Sequence, residues 1–271
     1  MKLSNIFNRR NRILLAELVR TDFKLRYQGS ILGYFWSILK PLFLFAILYI
    51  VFDQFLGFGR DIDNYPIYLL MGIVLWTFFN EATSNGLRSI VSKGDLIRKI
   101  NFPKYILVLS GTLSSLINLG INSIVLLVFI IFSSVGLSFS ALLYPVIVIN
   151  LYIFSLSVAF LLASLYVRFR DVSYLWQIVL QAMFYITPIL YSVQMILEKS
   201  ELAAFVLLAS PVAQSIQDAR FVVMGDQVAT TASISSSNPL YIAVPYLIII
   251  TAVVLGSFYF KRSSKKFAED V

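Results

Sequence analysis

The chain has 271 residues, of which 59% are hydrophobic and 13% are charged, and its net charge is +8. Soluble domains carry about 25% charged residues, so this composition, with a mean hydropathy of +0.82, indicates an integral membrane protein. The absence of Cys and His excludes disulfides, thiolate nucleophiles and catalytic or metal sites built on these residues. We expect the positive charge to lie in cytoplasmic loops, where it contacts anionic lipid, and we expect no nucleic-acid partner.

The N-terminal segment is basic and amphipathic. Residues 12–28 carry apolar side chains at every fourth position, namely Leu15, Val19, Phe23 and Tyr27. This pattern predicts a helix that lies in the cytoplasmic interface of the membrane, either as a plain anchor or as a docking element. No apolar stretch with a small-residue cleavage site is visible there, so we expect no cleavable signal peptide.

The stretch LRYQGSILGYFWSILKP, residues 25–41, predicts the point at which the chain turns into the membrane. Its two glycines permit a tight bend, and Tyr34 and Trp36 are residue types that prefer the headgroup level. Pro41 is expected within the first turn of a span, where its missing N–H matters least.

Six apolar segments follow, each near the roughly 20 residues that cross a hydrocarbon core of about 30 Å. The predicted spans are 37–55, 67–87, 105–133, 142–167, 172–192 and 240–260. No polar stretch is long enough to build a separate soluble core. We therefore predict an all-α membrane protein with six transmembrane helices and a single domain over 1–271.

Lys and Arg are distributed unequally between the connections. Eighteen lie in the N-terminal segment, in the connections after the second and fourth spans, and in the tail. The opposite connections hold only Arg60, Lys199 and Arg220. The positive-inside rule therefore predicts that both termini are cytoplasmic.

Two connections have unusual sequences. Residues 88–104 are short and basic, and they predict one short helix that ends before Pro103. Residues 193–223 are too apolar for an ordinary exposed loop but are interrupted at Ser210 and Pro211. Because each apolar piece is too short to span, we predict re-entrant or interfacial outer helices after the fifth span.

The sequence offers little enzyme chemistry. It contains no G-x-x-x-x-G-K-[ST] phosphate-binding loop, and the acidic residues near the spans, Glu81, Asp95 and Asp171, are scattered. We expect the chain to have no catalytic activity and no cofactor of its own.

Glu81 is a functional candidate because a charge within a membrane span is costly. Two interpretations stay open: hydrogen bonds to neighbours such as Thr83, Ser84 or Asn85, and the lining of a pore. Lys40 lies near the inner boundary of the first span, where we expect its side chain to reach the interface.

Aromatic side chains are abundant, and most are expected to face lipid or to form the interfacial belts. A subset of flat rings is suited to stacking on sugar faces in a channel. The candidates for lining such a channel are Tyr34, Trp36, Tyr49, Trp76, Phe79, Glu81, Tyr185 and Tyr191.

Four stretches in order resemble one known family, the membrane subunits of ABC-2-type ABC transporters. They are residues 25–41, GDLIRKINFPK at 94–104, RFRDVSYLWQIVLQAMFYITPILYS at 168–192 and the tail KRSSKKFAEDV. The resemblance covers essentially the whole chain and is to the polysaccharide-export permeases, which export O-antigen, capsule, teichoic acid and rhamnose-rich wall polysaccharides. The chain has Lys40-Pro41 and Ser210-Pro211 where the family often has Asn-Pro, so an exact substrate does not follow.

The resemblance implies a homodimer with two separate P-loop ATPase subunits, which bind the ATP and Mg, in the bacterial cytoplasmic (inner) membrane. The cargo would be a polysaccharide still attached to an undecaprenyl-diphosphate-type lipid. Residues 88–100 would form a coupling helix that docks on the ATPase, with the turn at 168–173 as a second contact. The implied coupling residues are Ser92, Lys93, Gly94, Asp95, Arg98, Arg170 and Asp171.

We further expect a lipid-diphosphate entrance at Lys24, Arg26 and Tyr27. Phosphates favour Arg and Lys, and these cations stand beside the bend into the membrane. Positive-inside anchoring is the alternative role for the same residues.

Three other functions stay open from the sequence alone. The first is an ABC-2 permease for another cargo, such as a drug or lipid. The second is a membrane glycan synthase, which needs acidic catalytic residues in a loop. The third is an ion-coupled carrier, which usually needs several buried ionisable groups and would act without an ATPase.

Overall fold

The computed structural model describes residues 8–26, 28–60, 62–133, 135–136, 138–225, 228–234 and 240–267. In this part the chain is helical and contains no strand. The α-helices are α1 Arg9–Arg26, α2 Trp36–Tyr49, α3 Tyr65–Arg88, α4 Gly94–Lys99, α5 Tyr105–Ile131, α6 Tyr144–Arg168, α7 Val172–Ile186, α8 Val193–Leu197, α9 Glu201–Leu208, α10 Pro211–Met224, α11 Thr231–Ile234 and α12 Leu240–Ser263.

Several helical segments have the length and composition of membrane spans, which confirms the all-α membrane class. Five qualify in the described part: Gly33–Phe55, Tyr65–Arg88, Tyr105–Ile131, Phe139–Arg168 and Tyr241–Ser263. The number becomes six if α9 and α10, which meet at an angle of 97°, count as one broken span. A pair of helices bent in this way is also the geometry of a re-entrant segment.

The helix predicted as the fifth span is shorter than expected. The prediction was 172–192, but α7 ends at Ile186 after 15 residues. That length is about 22 Å at 1.5 Å per residue, which falls short of a hydrocarbon core of about 30 Å. The helix stops because Thr187 precedes Pro188 and takes an extended conformation, as residues before proline do.

The centre of the fold is α3. It contacts α2, α5, α6, α7 and α10, and most of its side chains are buried. Pro66 stands in its first turn, where a missing N–H costs least. On the far side of α6 packs α12, and Gly256 there lies against the backbone carbonyl of Ser157. A Cβ at this glycine would hold the two helices apart.

Helix α1 runs beside α5 and none of its residues is fully buried. The expected stripe at Leu15, Val19, Phe23 and Tyr27 is only partly the contact face. Leu14, Leu15 and Leu18 pack against a hydrophobic cluster that contains Ile97 of α4 and Phe267 of the tail. The helix, the short basic connection and the tail thus meet at one end of the bundle, which we call the basic end.

Pro41 lies deeper in its helix than the sequence indicated. It is the sixth residue of α2, beyond the first turn, so the carbonyl of Ser37 loses its normal intrahelical donor. Asn122 of α5 replaces that donor, with 3.2 Å between its Nδ2 and the Ser37 oxygen. Side chains of neighbouring helices often satisfy a carbonyl freed by proline inside a membrane.

The two unusual connections are helical. The basic connection 88–104 forms a 3₁₀ turn at Val91–Lys93 and then α4, which ends before Pro103. The outer connection 193–223 forms α8, α9 and α10. Ser192 and Ser200 cap the first two of these by accepting hydrogen bonds from the backbone N–H of Gln194 and Ala203.

Candidate functional site

The first polar feature of the basic end is an ion pair between α1 and α3. Arg26 Nη1 donates to Glu81 Oε2 at 3.0 Å, and Asn118 of α5 donates to the same oxygen at 2.9 Å. About a quarter of each charged side chain is exposed, at 24% and 25%. The sequence left open a bond from Glu81 to Thr83, Ser84 or Asn85, but these three bond to other groups.

A cleft of about 370 Å³ opens beside this pair. Its lining consists of Arg26, Ser30, Trp36, Ser37, Lys40, Pro41 and Glu81. Lys40 is exposed and has no ion-pair partner in the described part of the chain. Since Glu81 neutralises Arg26, the cleft keeps the positive charge of Lys40, and Trp36 forms one wall. It is therefore suited to an anionic group beside an apolar one.

A second ion pair joins α1 to the basic connection. Lys93 Nζ lies 2.6 Å from Asp22 Oδ2, and both side chains are about one-fifth exposed, at 19% and 21%. The hydroxyl of Ser110 accepts from Lys93 at 3.2 Å and donates to Asp22 at 3.1 Å. This network ties α1, the 3₁₀ turn and α5 together.

The candidates for a contact with an ATPase divide into an exposed and an inward group. Ser92, Asp95 and Arg98 are exposed, Gly94 is half-buried, and Lys93 points inward to Asp22. Ile97 is buried in the hydrophobic cluster and holds α4 in place.

The second candidate contact is the turn between α6 and α7. Arg170 and Asp171 are both exposed there. The Arg170 guanidinium lies over the Tyr166 ring, 5.3 Å from its centroid. The connection that contains α4 and the turn between α6 and α7 therefore both present charged side chains at an end of a spanning helix.

Two of the residues expected at a lipid-diphosphate entrance, Lys24 and Arg26, line different cavities. Lys24 lines an open groove of about 1570 Å³ between α1 and α5, while Arg26 lines the cleft beside Glu81. The groove also contains Arg9, Arg12 and Arg20 against the carboxylate of Glu17, so the Lys24 side is basic. Tyr27 lies outside the described residues.

The aromatic channel candidates fall into two groups. Trp76 and Phe79 are only 4% and 0% exposed, so their assignment to a channel wall is corrected: they fill the core of the chain. Phe79 stacks on Phe154 with 5.9 Å between centroids. Spacing along a helix did not reveal this burial, because α3 is surrounded by other helices.

The remaining aromatic candidates reach the surface to different degrees. Tyr34, Trp36 and Tyr185 are exposed, whereas Tyr49 and Tyr191 are half-buried. The Tyr34 ring stacks on Phe23 of α1, with 5.1 Å between centroids. These five side chains stay available to a channel.

The structure adds a site at the opposite end, which the sequence placed among ordinary outer cations. Arg220 of α10 is completely buried and pairs with no acidic side chain in the described residues. Its guanidinium donates to the backbone oxygens of Tyr68 at 3.0 Å, Pro188 at 2.6 Å and Ile189 at 3.0 Å, and to Gln217 Oε1 at 2.9 Å. Its Cζ also lies 3.4 Å from the centroid of the Tyr68 ring.

Two tyrosines complete the arrangement around the break after α7. Tyr65 donates to the carbonyl of Leu190 at 2.8 Å, and Tyr68 donates to that of Tyr191 at 3.0 Å. Arg220 and these tyrosines thus satisfy four consecutive carbonyls, from 188 to 191, in a buried non-helical segment. Backbone carbonyls that are buried away from water require such partners. We call this arrangement the carbonyl clamp.

Gly72 makes the carbonyl clamp sterically feasible. A Cβ at this position would overlap the guanidinium of Arg220. The sequence signal for the clamp was a lone arginine in the largely apolar stretch 211–223, a position that indicates function or a special structural role.

Comparison with known proteins agrees with this architecture. Residues 14–223 match the family described as ABC-2 type transporter. The chain is 30% identical over 257 residues, 94% of each chain, to an O-antigen export system permease protein RfbA of Klebsiella pneumoniae. A second Klebsiella pneumoniae protein of that name is 29% identical over the same shares. One from Myxococcus xanthus is 29% identical and covers 69% of this chain and 71% of the relative.

Proposed function

Because the chain belongs to the ABC-2 type transporter family, we propose that it is the permease subunit of an ATP-driven exporter of lipid-linked cell-surface polysaccharide. The observation that carries this proposal is similarity to O-antigen export permeases over 94% of the chain. The apolar spans support a location in the bacterial cytoplasmic membrane with both termini on the basic side. O-antigen is the favoured cargo class, with capsule and teichoic acid as related polyanionic or neutral glycans.

The proposed assembly contains two copies of this chain and two separate ATPase subunits, which hold the ATP and Mg. Exposed apolar side chains support a second copy: α2 exposes Phe43 and Ile47, and α7 exposes Ile178 and Tyr185. Exposed apolar side chains of this kind in a membrane protein meet either lipid or another protein. The polysaccharide would pass between the two copies.

ATP-driven movement would enter the chain at the two exposed turns of the basic end. Asp95 and Arg98 of α4 would contact the ATPase, with Arg170 and Asp171 as the second contact. Lys93, held by Asp22, would carry the displacement of α4 into α1. Because α1 also holds Glu81 through Arg26, the same displacement would alter the cleft beside Trp36.

The cleft is the proposed place for the lipid diphosphate. Arg26 and the unpaired Lys40 supply positive charge, and Trp36 supplies an apolar wall. A diphosphate would compete with Glu81 for Arg26, since guanidinium binds phosphate and carboxylate alike. Lys24, in the adjoining basic groove, would attract the headgroup before it reaches the cleft.

The test is complementation of a strain that lacks this chain. We expect the strain to accumulate lipid-linked glycan inside the cell, and the chain to restore export and to co-purify with a P-loop ATPase. Normal surface glycan in the deletion strain, with loss of a drug or lipid efflux activity, would contradict the polysaccharide cargo. Loss of glycan synthesis itself would instead point to a synthase.

The coupling surface has a separate test with a matched control. Charge reversal by Asp95→Lys and Arg98→Glu alters two exposed side chains, so the fold is expected to survive and export to fail. Lys199→Glu makes the same kind of change on an exposed residue of the outer connection and should leave export intact. Equal export by both variants would remove α4 from the coupling surface.

A further inference from the structure

A groove separate from the candidate site opens where the beginning of α5 meets α6 and the end of α12. Its volume is about 790 Å³. Its lining includes Phe102, Lys104, Phe160, Phe258, Lys261 and Lys265. No lining residue is shared with the cleft beside Glu81 or with the groove between α1 and α5.

All the charged side chains that the structure describes in the lining of this groove are positive. Three lysines, Lys104, Lys261 and Lys265, belong to its lining, which contains no Asp or Glu among the described residues. None of the three forms an ion pair within the described part of the chain. Three ammonium groups around one concavity repel one another, and an anion placed among them relieves that repulsion.

The floor of the groove is aromatic. Phe102 and Phe260 are buried, while Phe160 is half-buried and packs against Phe260 at 4.8 Å between centroids. Phe258 is 64% exposed on the outward face of α12. The groove therefore offers apolar surface directly beside its cations.

The depth of the groove is set by the two spans that form it. Lys104 immediately precedes α5, and Lys261 lies in the last turn of α12. Both helices are apolar and long enough to cross a membrane, so these lysines mark the level at which hydrocarbon gives way to headgroups. Further along α12, Leu255 is 55% exposed on the same apolar helix.

We propose that this groove binds an anionic glycerophospholipid of the cytoplasmic leaflet. The phosphate lies among Lys104, Lys261 and Lys265, with the hydroxyl of Ser264 as an added donor. An acyl chain lies over Phe160 and Phe258. Basic pockets between spans on the cytoplasmic side suit such headgroups, and the aromatic floor beside the lysines suits the chain that follows.

The experiment uses the purified chain in phosphatidylcholine nanodiscs, and the probe is phosphatidylglycerol added to them. After the protein is released from the nanodisc, native mass spectrometry counts the lipids that stay bound to it. The test variant is Lys104→Gln/Lys261→Gln/Lys265→Gln. The matched control is Lys99→Gln/Arg262→Gln/Lys266→Gln, which removes three exposed cations of the same end that do not line the groove. All substituted side chains are at least partly exposed, so both variants are expected to fold.

We expect the wild type and the control to retain phosphatidylglycerol, and the groove variant to bind it about 100-fold more weakly, at roughly a fivefold loss per lysine. Equal loss in both variants would show diffuse attraction and overturn the proposal. Equal retention of phosphatidylcholine would mean that headgroup charge is not recognised. If a stoichiometric amount of a polyprenyl diphosphate, or a bound ATPase subunit, displaces the phosphatidylglycerol, the groove belongs to that other occupant and the proposal is overturned.

Discussion

The two ends of the helical bundle handle charge in opposite ways. At the end that the sequence predicts to lie outside, which we call the outer end, Arg220 is completely buried and its guanidinium bonds to carbonyl and amide oxygens, with no ion-pair partner in the described residues. At the basic end, Arg26–Glu81 and Lys93–Asp22 are ion pairs whose side chains keep between 19% and 25% of their surface exposed. Water reaches the second kind of contact and is excluded from the first.

The difference indicates which end is able to move. When the buried Arg220 guanidinium leaves its acceptors, three backbone carbonyls and the Gln217 amide oxygen lose a donor. Each buried acceptor left without a donor costs about 1–3 kcal/mol. A water-accessible ion pair is worth about 0–1 kcal/mol, so it exchanges partners at little cost. We therefore infer that the outer end is a fixed frame and that the basic end rearranges during transport.

The largest effect is expected when the carbonyl clamp loses its arginine. Arg220→Met should lower the free energy of unfolding by about 3 kcal/mol or more, because the carbonyls of Pro188 and Ile189 stay buried without donors. Thermal unfolding in detergent measures this loss. Arg60→Met is the matched control, since Arg60 is exposed at the same end. Equal stability of the two variants would contradict a fixed frame.

A smaller loss is expected from Gly72→Ala. The new Cβ overlaps the Arg220 guanidinium, so either the arginine or α3 must shift, at a cost of about 1–3 kcal/mol. Gly120→Ala is the control, because nothing lies within 4 Å of its Cβ position. In α5 that change should be neutral or stabilising by up to about 1 kcal/mol. If both alanines behave alike, close packing at the clamp is not required.

The Arg26–Glu81 pair should contribute less to stability than the clamp does. A double-mutant cycle with Arg26→Gln and Glu81→Gln is expected to give a coupling energy of about 1 kcal/mol, measured by chemical unfolding. Export should fall further in Arg26→Gln than in Glu81→Gln, because only the first removes a cation from the cleft. Equal export from the two single variants would exclude diphosphate binding at Arg26.

The smallest change in stability is expected at the Lys93–Asp22 pair, at or below about 1 kcal/mol, together with a clear effect on coupling. Lys93→Gln should let the ATPase hydrolyse ATP while less glycan is exported per ATP. Lys266→Gln removes an exposed cation of the same end and serves as control. The exchanged pair Asp22→Lys/Lys93→Asp should recover part of the export. If the exchanged pair is present at normal protein levels but export does not recover, movement is not passed from α4 to α1 through this contact.

How far the sequence alone predicts the structure differs between the two ends. Hydropathy located five of the six predicted spans because a helix in lipid must be apolar along its whole length. The charge pattern located the basic connection that contains α4. The sequence marks Glu81 as unusual, because it is a charge within a predicted span, but does not reveal its partners. Arg26 lies 55 positions away in the sequence and Asn118 lies 37 away, and no local spacing relates them.

The outer end was harder to predict because the helix break at Pro188 and the burial of Arg220 both depend on tertiary contacts. Pro188 was visible in the sequence, yet the predicted fifth span continued through it to residue 192. Arg220 was counted as an outer-loop cation, although its place in a largely apolar stretch marked it as special. Which carbonyls it would satisfy depends on α3, 152 positions away, so burial and partners became visible only in three dimensions.

The most direct test of a fixed outer frame and a movable basic end is a pair of distance measurements between spin labels by double electron–electron resonance. The chain contains no Cys, so spin labels can be placed at chosen positions in one copy of the assembly. The inner pair is Lys24→Cys with Arg98→Cys, and the outer pair is Arg60→Cys with Lys199→Cys, all at exposed side chains. We expect a nucleotide bound to the ATPase subunits to shift the inner distance and leave the outer one unchanged. A shift of the outer distance with a constant inner one would contradict the account.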